Sequence, residues 1–384
     1  MKRVTIVYFE AGGGHRAAME AISEAIRMQR RPWEITRVDF QQILQEHDPV
    51  QKLTGVSFAD AYTQYVGTGL TFGATQGLKV LHGIIRLYHR KVVQSLTEYW
   101  RAHPADMVVS VIPNFNRELA ESVRTALPDS AYVTVITDIA DTPPHFWIER
   151  ESEYVVCGSE RAVAQAKKIG HADDHVFRTS GMVLHPRFYE PFERERAAER
   201  VRLGLKPDLP TGLVLFGGGG GPAMVEIAER LEHSRLELQM IFICGRNEKV
   251  AQKLRGRSSR YPFVVEGFTR EVPYYMRLSD FFVGKPGPGS VSEALACGLP
   301  VIVESNMKTL PQERYNAEWV RNERLGVVVR SFGDINRAVG DVLSDPVFRQ
   351  NAAQVRNRAV FEVPDIFQQI LAVKSRADRE VQHA

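Results

Sequence analysis

The chain has 384 residues, of which 44% are hydrophobic and 25% charged, and a net charge of +3 at neutral pH. That length accommodates two domains with separate cores, the composition is ordinary for a soluble globular protein, and so small a charge gives no argument for a nucleic-acid partner. Three scattered cysteines, Cys157, Cys244 and Cys297, read neither as a disulfide framework nor as a zinc site and fit a reducing cytoplasm, and no apolar run is long enough to span a bilayer.

The first predicted strand is "RVTIVYF" (3–9). Its apolar stretch is too short for a signal peptide, so a strand explains it better. A glycine turn and a helix over 15–30 follow, then a strand-like run, "EITRVDF", that carries Asp39. Further strands are "ADMVVSVIP" (105–113), "AYVTVITDI" (131–139) and "YVVCGS" (154–159), with a helix over 116–127 between the first two. Short continuous apolar strands separated by helices predict a parallel sheet covered on both faces. Residues 58–100 depart from this scheme and end in a helix carrying Leu81, Ile84, Ile85 and Tyr88 beside His89, Arg90 and Lys91. The plainer reading is a core helix with a solvated basic face; the sharper one is a membrane-facing segment.

An Arg/Glu-rich stretch (191–210) reads as a linker with a short helix, after which the pattern restarts. "TGLVLFGGGGGPAMVEIAERL" (211–231) is again strand, glycine turn and helix, and strands follow at 238–245, 263–268, 280–287 and 299–305. The tail, 346–376, is helical in pattern. The expected architecture is α/β: two doubly wound Rossmann-like domains facing across a cleft, with ligands at the carboxyl ends of the strands.

Three stretches carry chemistry. "GGGHRA" (12–17) fits the loose dinucleotide template, with Asp39 as the downstream carboxylate, which keeps a nicotinamide enzyme open; alternatively it is a tight turn with His15 solvated at a helix start. "GKPGPGS" (284–290) turns sharply into the helix "SVSEALACG". There Gly287 and Gly289 let the backbone approach a ligand, while Ser290 and the first free amides can bind an anion. Glu293 is expected in the first helical turn, placed either for a ribose diol or merely to complement the helix dipole. Gln312, Glu313 and Asn316 in "KTLPQERYNAEW" are either a solvated helix cap or groups that match the hydroxyls of a sugar.

Taken in order, "GGGHRAA", "GFTREV", "KPGPGSVSEALACGLPVI" and "PQERYN" resemble the monogalactosyldiacylglycerol synthases and processive diacylglycerol glucosyltransferases, relatives of the N-acetylglucosaminyltransferase that forms lipid II. The resemblance runs over most of the chain, including "TDIADTPPHFWI" (137–148), which stands where the family has a Thr-Asp…Trp segment. It implies a GT-B fold: an acceptor domain over 1–190, a nucleotide-sugar domain over 191–362, and a C-terminal helix (363–384) packed back on the first domain. It implies His15 as general base, with Gly13, Gly14, Asp138, His185 and Arg187 on the acceptor side. On the donor side it implies uracil near Gly267 and Phe268 and ribose on Glu293. Diphosphate would lie against Gly217, Gly218, Gly219 and the turn of Pro286, Gly287, Pro288, Gly289 and Ser290. The sugar would lie near Gln312 and Glu313, with Asn316 close by. One departure stands out: where the family has Gly-x-Pro-x-Arg-Pro, the chain reads "GMVLHPRF" (181–188), with Val183 for proline and His185 for arginine.

A histidine with a pKa near the operating pH is the side chain suited to deprotonating an alcohol; Arg16 beside it is read as solvated. The expectation is an inverting, metal-independent hexosyltransferase, moving galactose or glucose from a UDP-sugar to diacylglycerol or another lipid. It is expected in the cytoplasm, with peripheral contact at the inner face of the membrane through 58–100. The absence of Asp-x-Asp supports metal independence. The alternatives are a nucleotide-sugar 2-epimerase, which needs carboxylates for proton shuttling, and the nicotinamide oxidoreductase. A non-catalytic sugar-nucleotide sensor is disfavoured because the base and the donor motifs are all present.

Overall fold

A computed structural model describes residues 1–10, 13–45 and 74–382. Two compact units emerge: residues 1–186 with 357–384, and residues 187–356.

In the first unit the strands are β1 (Lys2–Tyr8), β2 (Trp33–Asp39), β3 (Met107–Ser110), β4 (Ala131–Val135), β5 (Tyr154–Cys157) and β6 (Val176–Arg178). They form one parallel sheet in the order β2-β1-β3-β4-β5-β6. The order reverses between β1 and β3, where Val7 lies opposite Ser110. Connections leave β1 and β3 to opposite sides at this point, which opens a crevice at their carboxyl ends. The helix Gly14–Met28 starts there and buries Ala18, Ala21, Ile22, Ala25 and Ile26, a stripe at helical spacing. Below the crevice Phe9, Phe40 and Phe115 pack together, with ring centroids 4.7 Å apart for the Phe40–Phe115 pair.

The tail helix Ala359–Gln382 belongs to this unit. Gln29 donates to the Phe361 carbonyl at 2.7 Å, Arg31 pairs with Asp365, and Lys374 pairs with Glu153 at 2.7 Å. Just before the helix, Asn357 donates to the Met182 carbonyl at 2.9 Å and packs on Gly181. The tail is thus two helices, Pro346–Gln354 in the second unit and Ala359–Gln382 in the first.

The second unit holds β7 (Thr211–Leu215), β8 (Gln239–Ile243), β9 (Phe263–Glu266), β10 (Phe281–Gly284), β11 (Val301–Glu304) and β12 (Gly326–Val329). These too are parallel, in the order β12-β11-β10-β7-β8-β9. Numbered within the unit this is 3-2-1-4-5-6 read from β9, the dinucleotide-fold order, and its switch point lies between β7 and β10. Both glycine-rich turns, 217–221 and 284–290, follow the two strands that flank it. The linker helix is Arg196–Arg202, held by Arg200, whose guanidinium donates to Asp280 at 2.7 Å.

The helix Ala74–Ala102 returns to the first unit through Val92, Leu96 and Trp100, all buried. His89 continues that inward face, accepted by Glu118 at 2.8 Å and Glu121 at 2.7 Å. Burial disfavours its charge, but the two carboxylates more than offset this and raise its pKa. His89 is therefore not part of an outward basic face with Arg90 and Lys91, as its place in the sequence implied. Residues 58–73 and the side chains of Leu81, Ile84 and Ile85 lie outside the described residues. No helix among the described residues is long and apolar enough to cross a membrane.

Candidate active site

His15 enters the first crevice one residue into its helix. Gly13 stands at the N-cap with φ 78°, a left-handed conformation that suits glycine, and both Gly13 and Gly14 are exposed. This turn lifts the imidazole toward β3. The strand read as 105–113 ends at Ser110, and the next carbonyl, Val111, lies 2.9 Å from His15 Nδ1. A carbonyl only accepts, so Nδ1 carries the proton and Nε2 keeps the lone pair. Burial lowers the pKa of His15 to about 4, against a smaller opposing effect of the Val111 bond. The near-neutral pKa expected from sequence is therefore not what the site gives: the ring is neutral at pH 7 but a weaker base.

Around the ring stand Phe9, with centroids 6.2 Å apart, and Trp147 at 5.8 Å. Trp147 comes from the 137–148 loop, which is shaped by two carboxylates. Asp138 accepts the indole N–H at 2.7 Å; Asp141 accepts the amides of Trp147 at 2.7 Å and His145 at 3.0 Å. Asp138, a candidate acceptor-side residue, is buried and acts here by fixing Trp147. Val111 and Asp141 were not singled out from sequence, whereas Trp147 is the tryptophan of the Thr-Asp…Trp segment noted there. Arg16 is exposed as expected, but it is also paired, with Glu10 at 3.1 Å and Glu20 at 2.9 Å. His185 is half-buried at the end of the first unit, and Arg187 is exposed and opens the second. Val183 is buried, as an apolar replacement for proline should be.

In the second unit the turn after β7 presents Gly217, with φ 70°, then Gly218 and Gly219, both exposed. The amides of Gly218 and Gly219 bond to no described residue. After β9, Gly267 donates to the Glu266 carboxylate at 3.0 Å, and Phe268 is 55% exposed, unusual for phenylalanine. After β10 the turn of Pro286, Gly287, Pro288, Gly289 and Ser290 opens the helix Pro288–Ala296. A Cβ at Gly289 would meet nothing within 4 Å, so this turn leaves room for a ligand to approach.

That helix begins at Pro288, because proline is preorganised for the first helical position. Glu293 consequently lies in the second turn, not the first, and the first turn carries no acid. The dipole explanation for Glu293 fails with that shift, since the effect fades within the first turn. The Glu293 carboxylate accepts no hydrogen bond and forms no ion pair with a described residue. Burial raises its pKa to about 7. A half-buried carboxylate without a partner is costly in the fold, which makes Glu293 a candidate for a functional role.

Glu313 is buried and paired with Lys285 at 3.0 Å, over Gly287. Gln312 is half-buried beside it. Asn316 corrects an expectation: it is fully buried and donates to the Pro286 carbonyl at 2.8 Å. It holds the turn in place and offers no surface to a sugar.

Two parallel α/β units, with a histidine at one switch point and two glycine turns at the other, have the GT-B architecture. Residues 216–370 match the glycosyltransferase family 28 C-terminal domain. Over 394 residues the chain is 27% identical to monogalactosyldiacylglycerol synthase 1, chloroplastic, of Arabidopsis thaliana, covering 94% of this chain and 70% of that protein. Its fold is similar to that of Acinetobacter baumannii MurG (TM-score 0.59, 13% identity, 96% of this chain and 100% of the other). It is also similar to S. aureus MnaA in complex with UDP (TM-score 0.60, 14% identity, 94% and 92%). The chain is a glycosyltransferase, similar over residues 216–370 to the family 28 C-terminal domain and over most of its length to the monogalactosyldiacylglycerol synthases. The glycosyltransferase domain matched by residues 216–370, which holds both glycine turns of the second unit, favours this reading over the nicotinamide and 2-epimerase alternatives.

Proposed function

We propose that this enzyme transfers a hexose, galactose or glucose, from a UDP-sugar to a hydroxyl of diacylglycerol or a similar lipid, with inversion. The observation that carries this reading is the tautomer of His15: Val111 takes the Nδ1 proton at 2.9 Å, so Nε2 is free to accept one. A base with a pKa of about 4 suffices in a concerted displacement. The attacking hydroxyl becomes strongly acidic only as its bond to the anomeric carbon forms, so the proton moves late, and approaching negative charge also raises the imidazole pKa. Trp147 and Phe9 hold the ring in place.

The second unit supplies the donor subsite. Phe268 offers a face to uracil, Glu293 accepts from the ribose diol, and the amides at Gly218, Gly219, Gly289 and Ser290 meet the diphosphate. Backbone amides and a helix N-terminus stabilise the leaving group in place of a metal ion. Gln312 and Glu313 address the sugar hydroxyls. The relative from Arabidopsis is named for diacylglycerol, and the MnaA structure contains UDP; both fit this assignment. Contact with a membrane surface is assigned to the outward face of Ala74–Ala102, where Arg86, Arg90 and Lys91 surround Leu87, which is 78% exposed.

The test is the product. Incubation with UDP-galactose or UDP-glucose and diacylglycerol, with a chelator present, should give a β-linked glycolipid by proton coupling in NMR. An α-linked product, or loss of activity with the chelator, would refute the metal-free single displacement.

A further inference from the structure

Arg246 lies outside every motif that drew attention in the sequence. It follows β8 in the turn Cys244–Asn247, and its amide donates to the Gly218 carbonyl at 2.8 Å. The two turns meet through backbone: Gly245 has φ 58°, and a Cβ there would stand 2.3 Å from the Gly218 oxygen. This contact fixes where the Arg246 side chain starts. Its guanidinium carbon lies 4.4 Å from the centroid of the Phe268 ring. One terminal nitrogen lies 3.9 Å from where a Cβ of Gly218 would be. A single planar cation therefore spans the exposed aromatic face after β9 and the open glycine turn after β7.

The charge on this side chain is not spoken for. Glu248, two residues on, pairs with Arg255 at 3.1 Å. The Glu266 carboxylate takes the Gly267 amide at 3.0 Å and the Tyr275 hydroxyl at 2.7 Å. Lys285, at the other turn, is held by Glu313. No described carboxylate forms an ion pair with Arg246. An unpaired guanidinium beside two amides without partners, on a turn with no side chains, is a concavity for an anion with several oxygens.

We propose that Arg246 reads the diphosphate of the donor, pairing with its oxygens above Gly218 while its guanidinium stays over the Phe268 ring, and so sets the preference for a nucleoside diphosphate over a nucleoside. This rests on the donor-subsite assignment above. The planar group suits both tasks, since it stacks on an aromatic face and forks toward phosphate oxygens.

Calorimetry on the full chain with UDP-glucose, UDP-galactose and uridine tests the proposal, using wild type, Arg246→Ala and Arg246→Lys. Arg246→Ala should weaken the sugar nucleotide that binds by ~10- to 100-fold, as expected for a lost charge-assisted bond, and leave uridine within about twofold. Arg246→Lys should recover part of the loss, because it keeps the charge. The salt dependence of sugar-nucleotide binding should be shallower in the alanine variant. An exposed side chain that makes no hydrogen bond within the fold should leave the melting temperature unchanged. Equal losses for uridine and the sugar nucleotides would overturn the proposal, as would an alanine variant that binds like wild type, or a lysine variant no better than alanine. If the wild type binds none of the three, the donor-subsite assignment itself falls and this proposal with it. If wild type binds and only the Arg246 predictions fail, that assignment stands.

Discussion

Replacing Glu293 with glutamine keeps the shape of the side chain and removes its charge. Burial moves the pKa of this carboxyl from 4.5 to about 7. At ~1.4 kcal/mol per pKa unit, that shift corresponds to about 3 kcal/mol. Between these two values the folded chain holds more protons than the unfolded one. The contribution of Glu293 to stability is thus fully present below pH 4.5 and is lost as pH rises through 7. Glu293→Gln should therefore be more stable than wild type at pH 8, by up to about 3 kcal/mol, with a gap that closes as pH falls toward 4.5. His15, half-buried and neutral, has the opposite trend in both proteins, its contribution lost as pH falls from 6.5 toward 4, and it cancels in the difference. Urea unfolding of both proteins across this range measures the gap. Binding should move the other way. If the ionised carboxylate accepts from the ribose diol, the variant should bind the sugar nucleotide ~10- to 100-fold more weakly at pH 8. In wild type the affinity should rise about tenfold per unit up to pH 7, and in the variant it should be flat. A variant that gains stability and loses donor affinity carries the signature of a group kept for function at a cost to the fold. No gain at pH 8, or unchanged donor affinity, would refute the assignment.

Trp147→Phe removes the indole N–H that Asp138 accepts and should cost about 1–2 kcal/mol of stability. It should also lower turnover while leaving donor affinity in the second unit unchanged; equal losses in both would argue against its role beside His15. Arg90→Glu with Lys91→Glu should release the enzyme from anionic vesicles in co-sedimentation, since each basic residue near such a surface contributes about 1 kcal/mol. The two carboxylates that hold His89 are untouched by this change, so circular dichroism should remain that of wild type, and vesicle binding that persists would count against this face.

The chemistry-bearing turns were legible because glycine and proline report backbone geometry directly. "GGGHRAA" and "GKPGPGS" each follow a strand and open a helix in the structure, as their residues suggested. What was missed depends on partners distant in sequence. Val111 contributes a carbonyl, which leaves no trace in residue type, and it meets His15 across 96 positions. His89 reads as one more basic residue until Glu118 and Glu121, 29 and 32 positions on, turn it inward. Asn316 has the residue type of a sugar ligand, and only its full burial shows that it serves the turn instead. β6, three residues long, and β12, set between charged residues, are too short or too flanked by polar chain to show a strand period. Arg246 was passed over because an isolated arginine after a strand has no pattern at all; its meaning lies in the ring and the glycine turn that it spans.

The central claim is that His15 removes a proton from a lipid hydroxyl as the sugar is transferred. Its most direct measurement is the turnover of wild type and His15→Ala with saturating UDP-sugar and diacylglycerol, alongside donor affinity in the same preparations. The account predicts a loss in turnover of about two to four orders of magnitude, with donor affinity within about twofold of wild type. A variant that keeps near-normal turnover would contradict it and leave His15 as a residue of the turn alone.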